Sequence, residues 1–124
     1  MKISRLSLSH RSQNLLAQIK TKTGLTANIA GRFAICLSLK DPSTPNPDEF
    51  DEKGAEIHPQ VLFGEYQNLF VALLLQRLNE ANLDPEIYFN KMLRAHFNRG
   101  VISLFARIND ISDINEIIKQ ERLQ

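Results

Sequence analysis

Four of the five prolines in this chain, Pro42, Pro45, Pro47 and Pro59, fall within the twenty residues from Asp41 to Gln60. A proline inside a helix removes a backbone donor and clashes with the preceding turn, and the residue before it is driven towards extended backbone. No regular helix can therefore run through the middle of the chain. The same stretch is acidic, with Asp41, Asp48, Glu49, Asp51, Glu52 and Glu56. It reads as an ordered surface loop with a short extended piece around residues 55–57. The chain is divided into three parts of a single domain: a unit over 1–40, this loop over 41–60, and a helical part over 61–124.

Charge is divided along the same line. Residues 1–40 carry Lys2, Arg5, Arg11, Lys20, Lys22, Arg32 and Lys40 and no Asp or Glu, while all fourteen acids lie from Asp41 onwards. The formal net charge of +1 conceals this polarity. A basic segment regular enough to fold is the footprint expected for a polyanion such as nucleic acid, although a plain solvated face has the same composition. A chain of 124 residues buries about two-thirds of its unfolded surface, enough for a real core. Its single cysteine, Cys36, lies in the apolar run from Phe33 to Leu37 and is expected to be buried; it has no intrachain disulfide partner. No apolar stretch approaches the roughly 20 residues of a membrane span and no signal-type apolar region opens the chain, so a cytoplasmic location is expected. Zinc-type Cys/His spacing, a glycine-rich phosphate loop and a nucleophile elbow are all missing, so no metal, cofactor or catalytic residue is assigned.

The local periods predict a mainly α fold. Residues 3–9 alternate, with Leu6 and Leu8 on one face and Arg5, Ser7 and Ser9 on the other, as in a short half-buried strand. Ser9 or Ser12 then caps a helix carrying Leu15, Leu16 and Ile19, which Gly24 ends in the left-handed position. Thr26 is expected to cap a second helix whose apolar stripe is Ile29, Phe33, Cys36 and Leu37. After the loop, a helix from Gly64 to Asn82 presents a wide apolar face of Tyr66, Leu69, Phe70, Leu73, Leu74 and Leu78. Asp84 caps a further helix with Pro85 in its first turn, reaching Arg99-Gly100. The pattern continues or restarts at Val101, and a final helix from about Ser112 carries Ile114, Ile117 and Ile118.

A strand this short needs a partner for its backbone. Residues 55–57 or the same strand of another subunit would supply it, and oligomerisation is expected. The wide face from Tyr66 to Leu78 suits either an oligomer interface or a crowded core helix. Strand, helix and helix with a polar outer strand face looks like a ribbon-helix-helix unit, whose strands can lie in a DNA groove.

Two sets of motifs go further. Thr23-Gly24-Leu25-Thr26-Ala27-Asn28 and Leu37-Ser38-Leu39-Lys40-Asp41-Pro42-Ser43 resemble the first half of the DndE family. Gly64-Glu65-Tyr66, Leu69-Phe70-Val71-Ala72-Leu73-Leu74, Leu83-Asp84-Pro85-Glu86 and Arg94-Ala95-His96-Phe97-Asn98-Arg99-Gly100 resemble its second half. The order and spacing of these motifs carry the likeness over residues 3–118. Where the family often has an Arg-Tyr-Thr-Leu-like stretch, this chain has His58-Pro59-Gln60-Val61-Leu62-Phe63. The resemblance implies a small bacterial protein of DNA phosphorothioation, the replacement of a non-bridging backbone oxygen by sulfur. It implies a tetrameric DNA-binding accessory subunit that prefers nicked double-stranded DNA. Its implied partners are a cysteine desulfurase, an iron–sulfur protein of the ATP-pyrophosphatase type and an ATPase.

Phosphate contacts need reachable cations and position a protein without reading sequence. Lys2, Arg5, Arg11, Lys20, Lys22 and Arg32 are the candidates, together with the Thr26-Ala27-Asn28 helix start, where backbone N–H groups and the positive dipole end suit a phosphate. Thr26 and Asn28 are the named residues there. Arg5 and Ser7 would meet base edges if the strand entered a groove. Arg94, His96, Asn98 and Arg99 imitate a catalytic cluster, but helical spacing puts His96 away from Arg94 and Asn98, so a structural role is expected, with Glu65 or another acid pairing an arginine. Two alternatives remain: a nicking endonuclease of the same pathway built on loop carboxylates such as Asp48 or Asp51, and a purely protein-binding scaffold.

Overall fold

The structure is a computed structural model that describes the backbone of residues 2–122 and the side chains of residues 2–109. Its elements run β1 (Leu6–Ser7), α1 (His10–Thr23), α2 (Ala27–Lys40), β2 (Glu56–Ile57), α3 (Pro59–Phe63), α4 (Gln67–Glu80) and α5 (Pro85–Arg122), with 3₁₀ turns at Pro47–Glu49 and Gly64–Tyr66. The fold is mainly α with one two-stranded ribbon. Among the described residues no helix is long and apolar enough to cross a membrane.

The strand's partner lies within the chain. β1 pairs antiparallel with β2, Leu6 opposite Ile57 and Ser7 opposite Glu56, so the extended piece expected at 55–57 completes the ribbon. The side chains of Leu6 and Leu8 enter the core. Ser9 occupies the N-cap of α1, and its Oγ accepts from the Ser12 N–H at 3.0 Å. Gly24 ends α1 at φ 79°, and its N–H donates to the Lys20 carbonyl at 2.8 Å. That turn reverses the chain into α2.

The buried face of α2 differs from the expected stripe. Ala30, Gly31, Ala34, Ile35 and Ser38 face inward, while Ile29, Phe33 and Cys36 lie exposed. The reason is steric. α5 crosses so closely that only the small-residue face of α2 fits against it. A Cβ on Gly100 would stand 1.8 Å from the Ala34 carbonyl oxygen, and one on Gly31 would stand 2.5 Å from the Phe97 ring. The larger apolar groups are displaced to the outside, and the thiol expected in the core is on the surface.

The later helices also depart from expectation. Pro59 starts a short helix of its own, capped by His58 Nδ1 accepting from the Gln60 N–H, before the 3₁₀ turn delivers the chain into α4. The wide face of α4 splits. Phe70, Leu74 and Leu78 are buried, whereas Tyr66, Leu69 and Leu73 stay exposed. Asp84 caps α5 as expected, its Oδ1 accepting from the Glu86 N–H at 3.0 Å. α5 passes unbroken through Gly100 and Ser112, so no separate final helix starts there. The side chains of Ile114, Ile117 and Ile118 lie outside the described residues. One core unites the elements, with Phe63, Phe89 and Phe97 almost wholly enclosed, each contributing about 1.5–3 kcal/mol of burial.

Three arginines fasten the proline-rich loop onto this frame. Arg94 donates to the carbonyls of Pro47 at 2.8 Å and Phe50 at 2.9 Å. Arg77 donates to those of Leu39, Asp41 and Ser43. Arg99 donates to the carbonyls of Ser38 and Ser43 and the hydroxyls of both. The loop is thereby held largely through its backbone carbonyls.

Candidate nucleic-acid interface

α1 positions the basic groups in a graded way. Its inward face is Ser12, Leu16 and Ile19, and neither its first turn nor that of α2 contains an acid. Lys20 and Lys22 occupy its last turn, where the negative end of the helix dipole favours cations. Lys22 is partly committed. Its Nζ donates to Asn109 Oδ1 and lies 5.0 Å from the centre of the Phe105 ring, tying the end of α1 to α5. Lys20 is exposed, and Arg11 is exposed one turn after β1, where it lines a cleft of about 400 Å³ together with Arg99 and the carboxylates Glu49 and Asp51.

Beyond the Gly24 turn, Thr26, Asn28 and Arg32 come together. The Thr26 hydroxyl donates to Asn28 Oδ1, and Arg32 Nε donates to the Asn28 carbonyl at 3.4 Å. The guanidinium of Arg32 also lies 5.5 Å from the Tyr66 ring centre, a cation–π contact. Thr26 holds the N-cap position but its side chain makes no hydrogen bond to the helix backbone. The expected capping by Thr26 is therefore not made, because the hydroxyl is turned to the Asn28 amide. The leading N–H groups of α2 are left without a side-chain acceptor.

Lys2 and Arg5 are elsewhere. Asn90 Nδ2 donates to the Lys2 carbonyl at 3.0 Å, whereas Lys22 meets Asn109, and those two asparagines are about 28 Å apart along α5. Arg5 lies 4.0 Å from Glu56 on β2, with both side chains largely exposed. Such a pair is worth little in stability, but the carboxylate offsets the charge of the strand face. Among the described residues it is the only one of the six candidate cations with an acid partner. Asp51 also folds back to this end, its Oδ1 accepting from the His10 N–H at 3.0 Å. The charge polarity of the sequence thus becomes a spatial gradient: acids gather at the start of α1 and cations at the α1–α2 corner.

The residues of the cluster that imitates a catalytic site each make contacts that hold the fold, and the arginines pair with acids other than Glu65. Arg94 pairs with Glu52 at 3.5 Å and Arg99 with Asp41 at 3.7 Å; Glu65 takes neither arginine. Asn98 Nδ2 donates to the Arg94 carbonyl, and its Oδ1 accepts from the Ser9 N–H, pinning the start of α1. His96 is buried, its Nδ1 2.8 Å from Ser38 Oγ. Burial first, then the neighbouring Arg99 and Arg77 cations, lowers its pKa to about 4, so the ring is neutral. Among the described residues no group of three or more His, Cys, Asp or Glu side chains is arranged to hold a metal ion. The loop-holding role of Arg77 escaped the sequence reading because its acceptors are carbonyls, which no residue pattern records.

The family model for the DNA sulphur modification protein DndE matches residues 5–112. The chain belongs to the DndE family. It is similar to the crystal structure of DndE from Escherichia coli B7A, described as involved in DNA phosphorothioation modification. That likeness has 24% identity and a TM-score of 0.69, and covers 84% of this chain and 98% of that one. A structure of a DndE mutant, described as involved in DNA phosphorothioation, is 23% identical with a TM-score of 0.66, covering 84% of this chain and 99% of the other. These likenesses support the fold. No curated protein matches the sequence.

Proposed function

We propose that this DndE-family chain is a non-catalytic DNA-binding subunit of a bacterial DNA phosphorothioation complex, acting in the cytoplasm on double-stranded DNA and preferring nicked duplex. The observation that carries the reading is the corner around Gly24, where Lys20, Lys22 and Arg32 flank the uncapped start of α2 with no acid partner among the described residues. A helix start free of acids, with cations on either side, is the arrangement that a backbone phosphate requires. Arg11 extends the cationic row along α1, and Thr26 and Asn28 supply neutral hydrogen-bonding groups. Lys2 and Arg5 are peripheral contributors at the far end.

The DNA would be presented to a cysteine desulfurase, an iron–sulfur protein of the ATP-pyrophosphatase type and an ATPase. The chain would act as a homo-oligomer, a tetramer being favoured. Exposed Ile29, Phe33, Tyr66, Leu69 and Leu73 support that reading: several large apolar groups concentrated on α2 and α4 suit an interface.

The test is fluorescence anisotropy with one duplex, intact and singly nicked, over a salt series. The wild-type chain should bind the nicked form more tightly, with a slope reporting release of several counterions. Arg11→Glu with Lys20→Glu, which leaves the Lys22–Asn109 contact intact, should weaken both forms at least tenfold without changing helical content. Unchanged affinity in that double variant would overturn the reading. Partner capture without any DNA affinity would favour the protein-binding scaffold instead.

A further inference from the structure

A second site lies at the opposite end from the basic corner, on the free edge of β1. The Leu8 N–H donates to the Ala55 carbonyl at 2.9 Å, and Leu6 is registered opposite Ile57. In an antiparallel pair, backbone groups point alternately to the two edges. Those of Leu6 and Leu8 point to β2, so those of Arg5 and Ser7 point to the other edge. Asn98 Oδ1 accepts from the Ser9 N–H and so occupies one end of that outer edge, a side-chain amide of α5 standing where a neighbouring strand would otherwise supply a carbonyl. Asn90 Oδ1 accepts from the Ser4 N–H, which by the same alternation lies on the β2 side beyond the ribbon. The outward backbone groups of Arg5 and Ser7 have no such partner among the described residues.

This segment lines a cleft of about 490 Å³ walled by α5 and the arginine-held loop. Two ionic groups in its walls are uncommitted. Asp48 on the loop and Lys91 on α5 form no ion pair among the described residues. The other charges there are engaged, Arg94 with Glu52 and with loop carbonyls, and Asp51 with the N–H groups of His10 and Lys53. Asp48, Asp51 and Glu52 together make the cleft unsuitable for a phosphate backbone, so it does not extend the DNA surface.

We infer that this cleft is a docking site for an extended peptide segment of a partner protein, which adds a strand to the free edge of β1 and carries one basic and one acidic side chain to meet Asp48 and Lys91. Main-chain pairing with Arg5 and Ser7 supplies the hydrogen bonds, and the two wall charges select the sequence. The cleft volume accommodates a segment of only a few residues. This inference does not depend on the DNA reading, and binding at the cleft leaves the Gly24 corner open.

The probe is an array of end-blocked pentapeptides of Val and Thr bearing one Lys and one Glu in every arrangement, assayed against the full chain. The array should contain binders that protect the Arg5 and Ser7 amides from hydrogen exchange. N-methylation of alternate amides in the best peptide should weaken binding at least tenfold, which attraction between charges alone would not do. Asp48→Lys with Lys91→Glu should reverse the preferred placement of the two charges while leaving duplex affinity unchanged. An array without binders, or binding indifferent to N-methylation, would overturn the inference. Loss of duplex affinity in the charge-swapped variant would do the same, by assigning the cleft to DNA.

Discussion

The backbone of Gly100 meets that of Ala34 so closely that a methyl group on Gly100 would sit 1.8 Å from the Ala34 carbonyl oxygen. The obstacle is backbone, which cannot turn aside as a side chain can. Gly100→Ala must therefore separate α2 from α5 and disturb the core along their whole contact. Overpacking of this severity costs about 3 kcal/mol or more. Urea unfolding should show the midpoint falling accordingly, with Gly64→Ala as a comparison, where strain comes from a φ of 52° and the space is open.

His96 makes stability depend on pH. The folded ring resists protonation down to about 4, whereas the ordinary value for a histidine is 6.5. The unfolded chain therefore binds more protons over that interval. Stability is complete above about 6.5, falls as pH drops towards 4 and levels below it, a loss of up to about 3 kcal/mol. Asp41 and Asp51 are held below the ordinary carboxylate range mainly by backbone N–H groups, those of Ser43 and of Lys53 and His10. Their contributions disappear at still lower pH. Chemical unfolding of His96→Gln across pH 4 to 7 should give a flatter profile than the wild type.

Removing the Arg94 guanidinium should release the loop without unfolding the helices. Its charged hydrogen bonds to Pro47 and Phe50 are worth about 2–3 kcal/mol in total to loop ordering. In Arg94→Ala, a Glu-specific protease should cut at Glu49 or Glu52 about tenfold faster. Circular dichroism should stay close to that of the wild type.

Much of the fold was legible because local chemistry agreed with it. Ser9, Gly24 and Asp84 each occupy the capping position that their residue types suggested, and the strand partner at 56–57 was one of two candidates. The errors were tertiary. Phe33 and Cys36 appeared to be core residues because a stripe of large apolar groups ordinarily faces inward, yet Gly31, Ala34 and Gly100 draw α5 onto the small-residue face instead. The basic segment was visible as composition. Its division into a corner around Gly24 and a neutralised strand end depends on where the loop folds back, which is set by arginines binding carbonyls.

That division gives unequal expectations for single cations. Lys20→Ala should lower the salt slope of duplex binding by about 0.9, the value of one phosphate contact. Arg5→Ala, beside Glu56, should lower it by clearly less. Equal changes from the two variants in the same anisotropy series would contradict the assignment of the corner as the main contact.

The exposed apolar groups give a matching expectation for assembly. Phe33→Asp with Leu69→Asp places charge at two of the most exposed large apolar positions. Sedimentation should show the proposed homo-oligomer dissociating to monomers with unchanged helical content, because neither side chain supports the core.

The ribbon also governs when this protein can fold during synthesis. β1 is made first, but its partner strand comes from residues 56–57, and the amides that hold its ends come from Asn90 and Asn98. The basic unit leaves the ribosome as two helices without a lid, unable to bury Leu6 or Leu8, and it waits for most of the chain. The finished shape of the basic unit is therefore a late event in the protein's biosynthesis, and a prematurely terminated chain would carry the positive charge without that shape.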